Sequence, residues 1–287
     1  MTKSKLQNTL VNVLESKAAY GESRYAAKLD GSDRDKIFSY NTMAKYKQIA
    51  RDFSKFVDAR EPGLRRKKDA IKHIDPYLRS LQDAGASAWT QQTTRSGLTK
   101  IFGQDHSTIV LDQKERRNII RSRLDTEYAR HFSVSKNTDL INFCQNTGLR
   151  RSELEKLRPD QLHFRSDGQA YLTIKGKGGK VREAIILNND PATLAKIQNT
   201  PTGELVWGRV HGAANIHGYR GEYATKLYNQ LARPIKELKQ RDIYSCRKDL
   251  AGARYDKAAM RIVSNNLGHN RIDVIAANYL YSLSWNE

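Results

Sequence analysis

Hydrophobic residues in the first hundred positions recur every three or four residues, the spacing that gives an α-helix one apolar face. We predict four helices in this stretch. The second follows Asn41 as a candidate cap and ends before Pro62-Gly63, the third begins at Asp75-Pro76 and stops at Gly85, and the fourth follows Thr90. The apolar side of the second comprises Met43, Tyr46, Ile49, Ala50, Phe53, Phe56 and Val57. The pattern predicts a helical first domain.

The periodicity weakens between about residues 103 and 127, where basic residues are concentrated. They are Lys114, Arg116, Arg117, Arg121 and Arg123. We place the domain boundary here, with a helical domain at 1–110, a linker at 111–127 and a second domain at 128–287. A charge run is often only a solvated surface, yet a basic linker between two basic domains is also well placed to follow a phosphate backbone.

The second domain mixes two periodicities. A helix through Leu140 and Phe143 breaks at Thr147-Gly148, and another continues through Leu154 and Leu157. Short runs with strand character follow at 160–164, 169–174 and 181–187, separated by turn sequences. The remainder after residue 191 is mainly helical. The order predicts an α+β domain with a three-stranded antiparallel sheet.

Charge narrows the range of functions. The chain has 287 residues, with 50 Lys and Arg against 31 Asp and Glu, and a formal net charge of +19. Such an excess attracts polyanions, and we expect a nucleic-acid partner. The two cysteines, Cys144 and Cys246, fall in predicted helices and are too few for a disulfide framework. With no signal peptide and no apolar run of membrane-spanning length, we expect a cytoplasmic protein.

Four segments of the second domain carry candidate chemistry. In NTGLRRSELEKL, Arg150 and Glu153 share one helix face, so the carboxylate can orient the guanidinium toward a phosphate. The turn KGKGGK lacks the flanking residues of a nucleotide-binding loop and is therefore predicted to be a hairpin tip carrying Lys175, Lys177 and Lys180. An ordinary surface ion pair and three solvated lysines are the alternatives.

The other two segments lie toward the C-terminus. Arg247 lies in IYSCRKDLAGARY, which we predict to be helical, and in SNNLGHNRIDVIAANYLY a helix ends at Gly268 before His269. A final helix from about residue 271 then carries Tyr279. His211 and His217 have no companions at metal-ligand spacing and are assigned to loops, so no metal site is predicted.

Taken in order, TGLRRSEL, the GKGGK hairpin, the arginine segment and LGH followed by a tyrosine resemble the tyrosine recombinase (phage integrase) family. The resemblance covers roughly residues 120–287, and the first half looks like the family's α-helical core-binding domain. It implies that Arg150 and Arg247 are catalytic arginines and that Glu153 supports the first. It further implies that Lys177 is the hairpin lysine, His269 the histidine after LG, and Tyr279 the nucleophile.

Two positions depart from the family pattern. The family usually has His or Lys three residues before its second arginine, and that position here is Tyr244, which can hydrogen-bond a phosphate but is a poor general base. The gap from His269 to Tyr279 is ten residues, where nine is commoner, and this leaves Tyr281 as a second candidate nucleophile. Because the two tyrosines lie about 200° apart on a helix, only one can face the site.

The resemblance implies a site-specific DNA recombinase that cleaves and rejoins duplex DNA through a 3'-phosphotyrosine, without cofactor or metal. It also implies two DNA sites held by a homo-tetramer that is monomeric or weakly dimeric when free, accessory DNA-bending proteins as further partners, and a prokaryotic, phage or mobile-element origin. Lys175, Lys180, Arg116, Arg117 and Arg121 are the predicted DNA contacts outside the catalytic set. A catalytically inactive DNA-binding protein and a type IB topoisomerase are the alternatives. The tail after Tyr279 is expected to contact a neighbouring protomer through Trp285.

Overall fold

The computed structural model describes residues 5–115, 132–176 and 179–280. The chain divides into two compact units, Met1–Glu115 and Arg116–Glu287. The predicted DNA-binding residues Arg116, Arg117 and Arg121 lie outside the described residues, as do Lys177, Tyr281 and Trp285. No helix within the described ranges is long and apolar enough to cross a membrane.

The first unit is helical, as the periodicity predicts. Its α-helices are α1 (Lys5–Glu15), α2 (Arg24–Leu29), α3 (Tyr40–Asp58), α4 (Ile74–Asp83) and α5 (Ala88–Phe102). A 3₁₀ segment, Lys67–His73, precedes α4. The apolar faces form one core, in which Phe53, Tyr77 and Phe102 make edge-on aromatic contacts.

The helix starts differ from the predicted ones because a side chain can cap a helix only from the residue just before its first turn. Ser39, rather than Asn41, caps α3 and accepts a hydrogen bond from the Thr42 amide at 3.1 Å. Ser87 similarly caps α5. Asp75 lies inside α4, and its carboxylate accepts hydrogen bonds from Thr108.

The chain that follows α5 packs back onto the first unit. Leu111 packs against its core, and the carboxylate of Asp112 accepts a hydrogen bond from the Gln91 side chain. Gln91 also accepts a hydrogen bond from the Asp112 amide at 3.1 Å. The first unit therefore extends past residue 110, where the hydrophobic periodicity had already weakened.

The second unit has the mixed architecture that its two periodicities predict. Helices α6 (Thr138–Thr147) and α7 (Arg151–Leu154) precede an antiparallel sheet of β1 (Leu162–Phe164), β2 (Ala170–Lys175) and β3 (Val181–Ile185). The sheet order is β1-β2-β3, and helices α8 (Pro191–Gln198) and α9 (Ile216–Leu231) follow. The predicted three-stranded sheet is confirmed.

The segment predicted as an arginine-bearing helix is a hairpin instead. Strands β4 (Ile243–Ser245) and β5 (Arg254–Asp256) pair antiparallel, with Tyr244 opposite Tyr255. Cys246 follows β4 directly and is not helical, unlike Cys144 in α6. Ile243 and Tyr244 are residue types that are common in strands, and Gly252 turns the chain at φ +98°. The helical prediction for this segment is wrong.

The chain then runs through α10 (Lys257–Leu267), α11 (Ile272–Ile275) and a π-helical turn (Ala276–Leu280). Two cores hold the second unit together. One lies between α6 and the sheet around Phe143, and the other packs α9 against α10 and the π-helical turn around Tyr223. Tyr279 belongs to the second of these cores.

Candidate active site

The site begins where α6 ends. Gly148 adopts φ +60°, and a Cβ atom on it would lie 2.3 Å from Cδ1 of Tyr223, so both the turn and the packing require glycine here. The turn directs Arg150 to the position just before α7. The carboxylate of Glu153 accepts hydrogen bonds from the Arg150 amide and from Arg150 Nη1, both at 2.8 Å. The predicted Arg150–Glu153 pair is therefore present.

Glu153 has a second partner that the sequence did not indicate. Arg182 on β3 donates from Nη1 and Nη2 to the two carboxylate oxygens, at 2.9 and 2.7 Å. Both side chains are buried, with 3% of Glu153 and 8% of Arg182 exposed. Burial alone would raise the pKa of Glu153, but the hydrogen bonds and charge of Arg182, together with those from Arg150, lower it to about 2. Glu153 is a carboxylate at neutral pH.

Backbone carbonyls at the C-terminus of α10 accept hydrogen bonds from three guanidinium groups. The Leu267 carbonyl accepts hydrogen bonds from Arg150 Nη2, at 3.0 Å, and from Arg220 Nη2, while the Asn266 carbonyl accepts one from Arg182 Nε at 2.7 Å. Unpaired carbonyls give the C-terminal end of a helix partial negative charge, which favours cations there. This gives the LG pair of the LGH motif a physical role in assembling the arginines.

Gly268 is required at this junction for two reasons. Its φ is +68°, which reverses the chain after α10, and a Cβ atom on it would lie 2.9 Å from Cδ of Arg182. A side chain here would push Arg182 away from Glu153 and tilt the next residue, His269. The glycine of the LGH motif thus allows the backbone to lie close to the Arg182 side chain.

Arg220, in α9, is the arginine that contacts the tyrosine. It is 2% exposed, and its Nε donates to the Tyr279 hydroxyl at 3.3 Å. Its Nη1 donates to the Gly148 carbonyl. Burial, and then the positive charge of Arg150, lower the pKa of Arg220, while Tyr279 opposes this effect. A fully buried guanidinium held by backbone carbonyls on two elements is a fixed cation beside the phenol.

Tyr279 lies between Arg220 and His269. The distance between His269 Nε2 and the Tyr279 hydroxyl is 2.8 Å, and the ring of His217 lies 5.7 Å from the tyrosine ring, centroid to centroid. Burial, followed by repulsion from Arg220 and the other arginines, lowers the pKa of His269 to about 4. His269 is therefore neutral at pH 7, and its ring nitrogen can accept the phenolic proton.

The ten-residue interval between His269 and Tyr279 is accommodated by backbone geometry. The segment Ala276–Leu280 is π-helical, and a π turn holds one more residue than an α turn. The additional residue relative to the commoner nine-residue spacing can be absorbed there, so that Tyr279 still reaches His269. Tyr279 itself is 5% exposed.

Arg247 is not part of this cluster. It is exposed, it follows the β4 strand rather than starting a helix, and it lines a separate cavity together with Tyr244. Within the described residues, the cations that lower the pKa of His269 do not include it. No described hydrogen bond or ion pair joins Arg247 to Arg220, His269 or Tyr279. Tyr244 packs against the core that contains Tyr279, and the catalytic roles of Arg247 and Tyr244 stay predictions.

The sequence contains another match to the family pattern. His217 lies three residues before Arg220, the spacing at which the family usually has His or Lys before its second arginine. His217 lies in the first turn of α9 and not in a loop, so its assignment to a loop is wrong.

Arg151 holds the loop that leads into α9. Its Nη1 donates to the carbonyls of Val210 and His211, at 3.1 and 2.8 Å, and its Nη2 donates to those of Gly212 and Ala214, at 3.2 and 2.8 Å. Asn215 then caps α9, with its side chain accepting a hydrogen bond from the Gly218 amide at 3.1 Å. The residue next to Arg150 therefore fixes the approach to Arg220.

Lys175 and Lys180 lie at the base of the predicted hairpin. Lys175 pairs with Val181 at the ends of β2 and β3, and the Gly176 amide donates to the Lys180 carbonyl at 2.8 Å. Both lysines are exposed. Lys177, between them, lies outside the described residues. In the parts of the chain that are described, no group of three or more His, Cys, Asp or Glu residues is placed to hold a metal ion.

A solved structure shares this architecture. The XerH site-specific recombinase, bound to a palindromic difH substrate in a post-cleavage complex, superposes with a TM-score of 0.55 at 15% identity, covering 100% of this chain and 98% of that one. The Tn1549 transposon integrase, in complex with circular intermediate DNA, gives a TM-score of 0.48 at 12% identity, covering 94% of each chain. No protein-family model and no curated sequence matches the chain. The chain has the tyrosine recombinase fold.

Proposed function

We propose that this protein is a site-specific DNA recombinase that cleaves and rejoins DNA strands through a 3'-phosphotyrosine formed on Tyr279. The observation that carries the proposal is the hydroxyl of Tyr279, which receives a hydrogen bond from Arg220 Nε and lies 2.8 Å from His269 Nε2. A phenol bonded to a fixed cation on one side and a neutral imidazole on the other is arranged for nucleophilic attack.

The arginines would hold the scissile phosphate. Negative charge on the non-bridging oxygens increases during attack at phosphorus, so preorganised cations lower the barrier. Arg220 is fixed by its hydrogen bonds to the carbonyls of Gly148 and Leu267. Arg150 lies beside it because it donates to the same Leu267 carbonyl, and 30% of the Arg150 side chain is exposed. The exposed donors of Arg150 are the ones available to a phosphate arriving from solvent.

The proton transfers follow from the same geometry. His269, which is neutral at pH 7, would accept the phenolic proton of Tyr279 as the oxygen attacks phosphorus. The P–O5' bond breaks, and the 5'-oxygen leaves with a proton, which we assign to Lys177 of the hairpin. The phosphorus is then esterified to Tyr279.

Reversal completes strand exchange. The 5'-hydroxyl of a second strand would attack the phosphotyrosine and give its proton to Lys177. The bond between phosphorus and the Tyr279 oxygen breaks, and the tyrosine leaves with the proton returned by His269. Because the covalent intermediate retains the energy of the phosphodiester, the sequence of steps requires no nucleotide cofactor.

Duplex DNA is the proposed partner. The net charge of +19 suits a polyanion, and the XerH structure of the same fold is a complex with its DNA substrate. We further propose that the helical domain (1–110) and the catalytic domain (128–287) both contact the duplex. The linker residues Arg116, Arg117 and Arg121, with Lys175 and Lys180, would contact its backbone, and four protomers would act on two sites.

Covalent trapping tests the proposal. A pool of randomised duplexes carrying a nick near the cleavage position is incubated with tagged protein, denatured and captured, and the retained DNA is sequenced. We expect an adduct with a defined recognition sequence, lost in Tyr279→Phe and retained in Tyr281→Phe. Duplex binding without any adduct would instead identify a DNA-binding protein, and an adduct that survives Tyr279→Phe would move the nucleophile elsewhere.

Plasmid assays with the recovered sequence distinguish strand exchange from strand relaxation. Two plasmids carrying the recovered sequence should recombine, and a supercoiled plasmid without it should stay supercoiled. Relaxation of that second plasmid at a comparable rate would indicate a type IB topoisomerase.

A further inference from the structure

Arg182 donates a hydrogen bond to each oxygen of the Glu153 carboxylate, which also accepts from Arg150. Its two terminal nitrogens lie 2.9 and 2.7 Å from the oxygens of Glu153, while its Nε donates to the Asn266 carbonyl at 2.7 Å. This is the two-point geometry that a planar guanidinium makes with a carboxylate. Arg150, in contrast, reaches Glu153 through a single side-chain nitrogen. Arg182 is therefore the main partner of Glu153.

The arrangement determines the charge that Arg150 presents. Arg182 and Glu153, both nearly excluded from solvent, neutralise each other. The three side chains together carry one net positive charge, and its exposed part belongs to Arg150, whose side chain is 30% exposed. Without Arg182, Glu153 would neutralise Arg150 instead, and the pair would present no net charge to an incoming phosphate.

The arrangement also determines which donors of Arg150 are available. A guanidinium has five N–H donors. In the described chain, Arg150 directs one donor at Glu153 and one at the Leu267 carbonyl. A carboxylate released from Arg182 would attract Arg150 into a two-point pair of its own, which would turn its donors away from solvent.

Arg182 further connects the hairpin to this pair. A Cβ atom on Gly176 would lie 3.2 Å from Arg182 Nη1 and 3.4 Å from Glu153 Oε1, so the backbone next to Lys177 rests on the ion pair. Gly268, next to His269, is similarly close to Arg182 Cδ. One side chain thus contacts the segments that bear the hairpin lysine and the histidine.

We propose that Arg182 is a positioning residue for phosphate activation: by occupying Glu153 it keeps Arg150 cationic and leaves its donors free for the scissile phosphate. The inference rests on the proposed function. Arg182 itself, buried behind Glu153, does not contact the DNA.

A charge-compensation experiment tests this role. Single-turnover formation of the covalent adduct is measured on the recovered nicked site for Arg182→Met, Glu153→Gln and the double variant. We expect Arg182→Met to slow adduct formation about 100-fold, the scale of losing one preorganised cation at a reacting phosphate. Glu153→Gln added to it should restore at least about tenfold, because no carboxylate is left to neutralise Arg150.

A residue with a merely structural role gives the opposite result. If Arg182 only supports packing, removing its partner as well should slow the reaction further, and a double variant slower than Arg182→Met would overturn the proposal. An unchanged rate in Arg182→Met would also overturn it. Absence of adduct in the unsubstituted protein would instead refute the proposed function, so the two failures are distinguishable.

One further variant serves as a control. Arg165→Met removes the exposed ion pair with Glu183, which lies beside Arg182 on β3, and it should leave the rate within about twofold. Each variant must retain the circular dichroism spectrum and the duplex affinity of the unsubstituted protein. If Arg182→Met does not fold, Arg182→Gln, which can still donate to Glu153, takes its place in the same comparison with Glu153→Gln.

Discussion

Replacing Arg220 by lysine distinguishes the arginine indicated by the structure from the one indicated by the sequence pattern. Arg220 is buried and donates to the Tyr279 hydroxyl, the Gly148 carbonyl and the Leu267 carbonyl. Lysine keeps the charge but cannot make these directed contacts simultaneously. Arg247 is exposed and lines another cavity, so its replacement by lysine is the matched control.

The expected magnitudes differ widely. Loss of one preorganised donor to a developing oxyanion costs about 2.7–4 kcal/mol of transition-state stabilisation, or about 100- to 1,000-fold in rate. We therefore expect Arg220→Lys to slow adduct formation at least about 100-fold. Arg247→Lys, which retains the charge at an exposed position, should stay within about threefold. In the first variant, any buried carbonyl left unpaired costs about 1–3 kcal/mol of folding free energy.

That folding cost does not prevent the measurement. Domains of this size are usually stable by about 5–15 kcal/mol, so Arg220→Lys should remain folded at 25 °C. Adduct formation on the nicked site is followed by denaturing electrophoresis at saturating protein, and urea denaturation reports the stability of both variants. Saturation separates the rate of the chemical step from DNA affinity.

The assignment of Arg220 fails if the two variants exchange behaviour. A rate loss confined to Arg247→Lys, with Arg220→Lys close to the unsubstituted protein, would return Arg247 to the catalytic set. Equal losses in both would mean that the cavity beside Arg247 also takes part in the reaction.

Two other predictions concern the neighbours of the tyrosine. Because burial and the surrounding guanidiniums lower the pKa of His269 to about 4 in the folded chain, the unfolded chain binds more protons between about pH 6.5 and 4, and stability should fall as the pH drops through that range. The fall, measured by urea denaturation, should be smaller in His269→Gln, and equal falls would contradict the shift. Deleting the exposed Asn278 should convert the π-helical turn into an α-helical one and keep adduct formation within about tenfold. Inserting an alanine there should abolish adduct formation, and loss in both variants would refute this account of the ten-residue spacing.

The fold was largely predictable because most of its helices and strands follow from the local spacing of hydrophobic residues and from turn sequences. Helical periodicity identified the first unit, and two turn sequences delimited the three strands of the sheet. The predictions of the residue that caps α3 and of the helix around Arg247 were wrong, because in each segment the sequence also allowed the alternative that the structure adopts. Ser39 caps α3 in place of Asn41, and the segment around Arg247 forms a hairpin because β4 pairs antiparallel with β5.

The candidate site was predictable in part. Arg150 is the residue just before α7 and Glu153 is the third residue of that helix, so their contact is a helix-capping interaction and not the shared helix face that was predicted. The order of LGH and Tyr279 predicted that the histidine lies beside the tyrosine. The π-helical turn that keeps the two side chains in contact was not predicted from the sequence. Arg182 could not be predicted, since its partner Glu153 lies 29 residues away on another element.

By itself, the sequence determined which groups are available and how the chain is divided: a basic two-unit protein, a tyrosine after LGH, and an arginine held by a nearby glutamate. Only the tertiary structure decided which of two arginines meets that tyrosine. Arg220 lies 59 residues from Tyr279 in sequence, and Arg150 lies 117 residues from the Leu267 carbonyl that it shares with Arg220. The spacing of His217 and Arg220 made Arg220 a candidate, but local patterns could not choose between it and Arg247. The choice comes from the packing of α9 and α10 around one helix C-terminus.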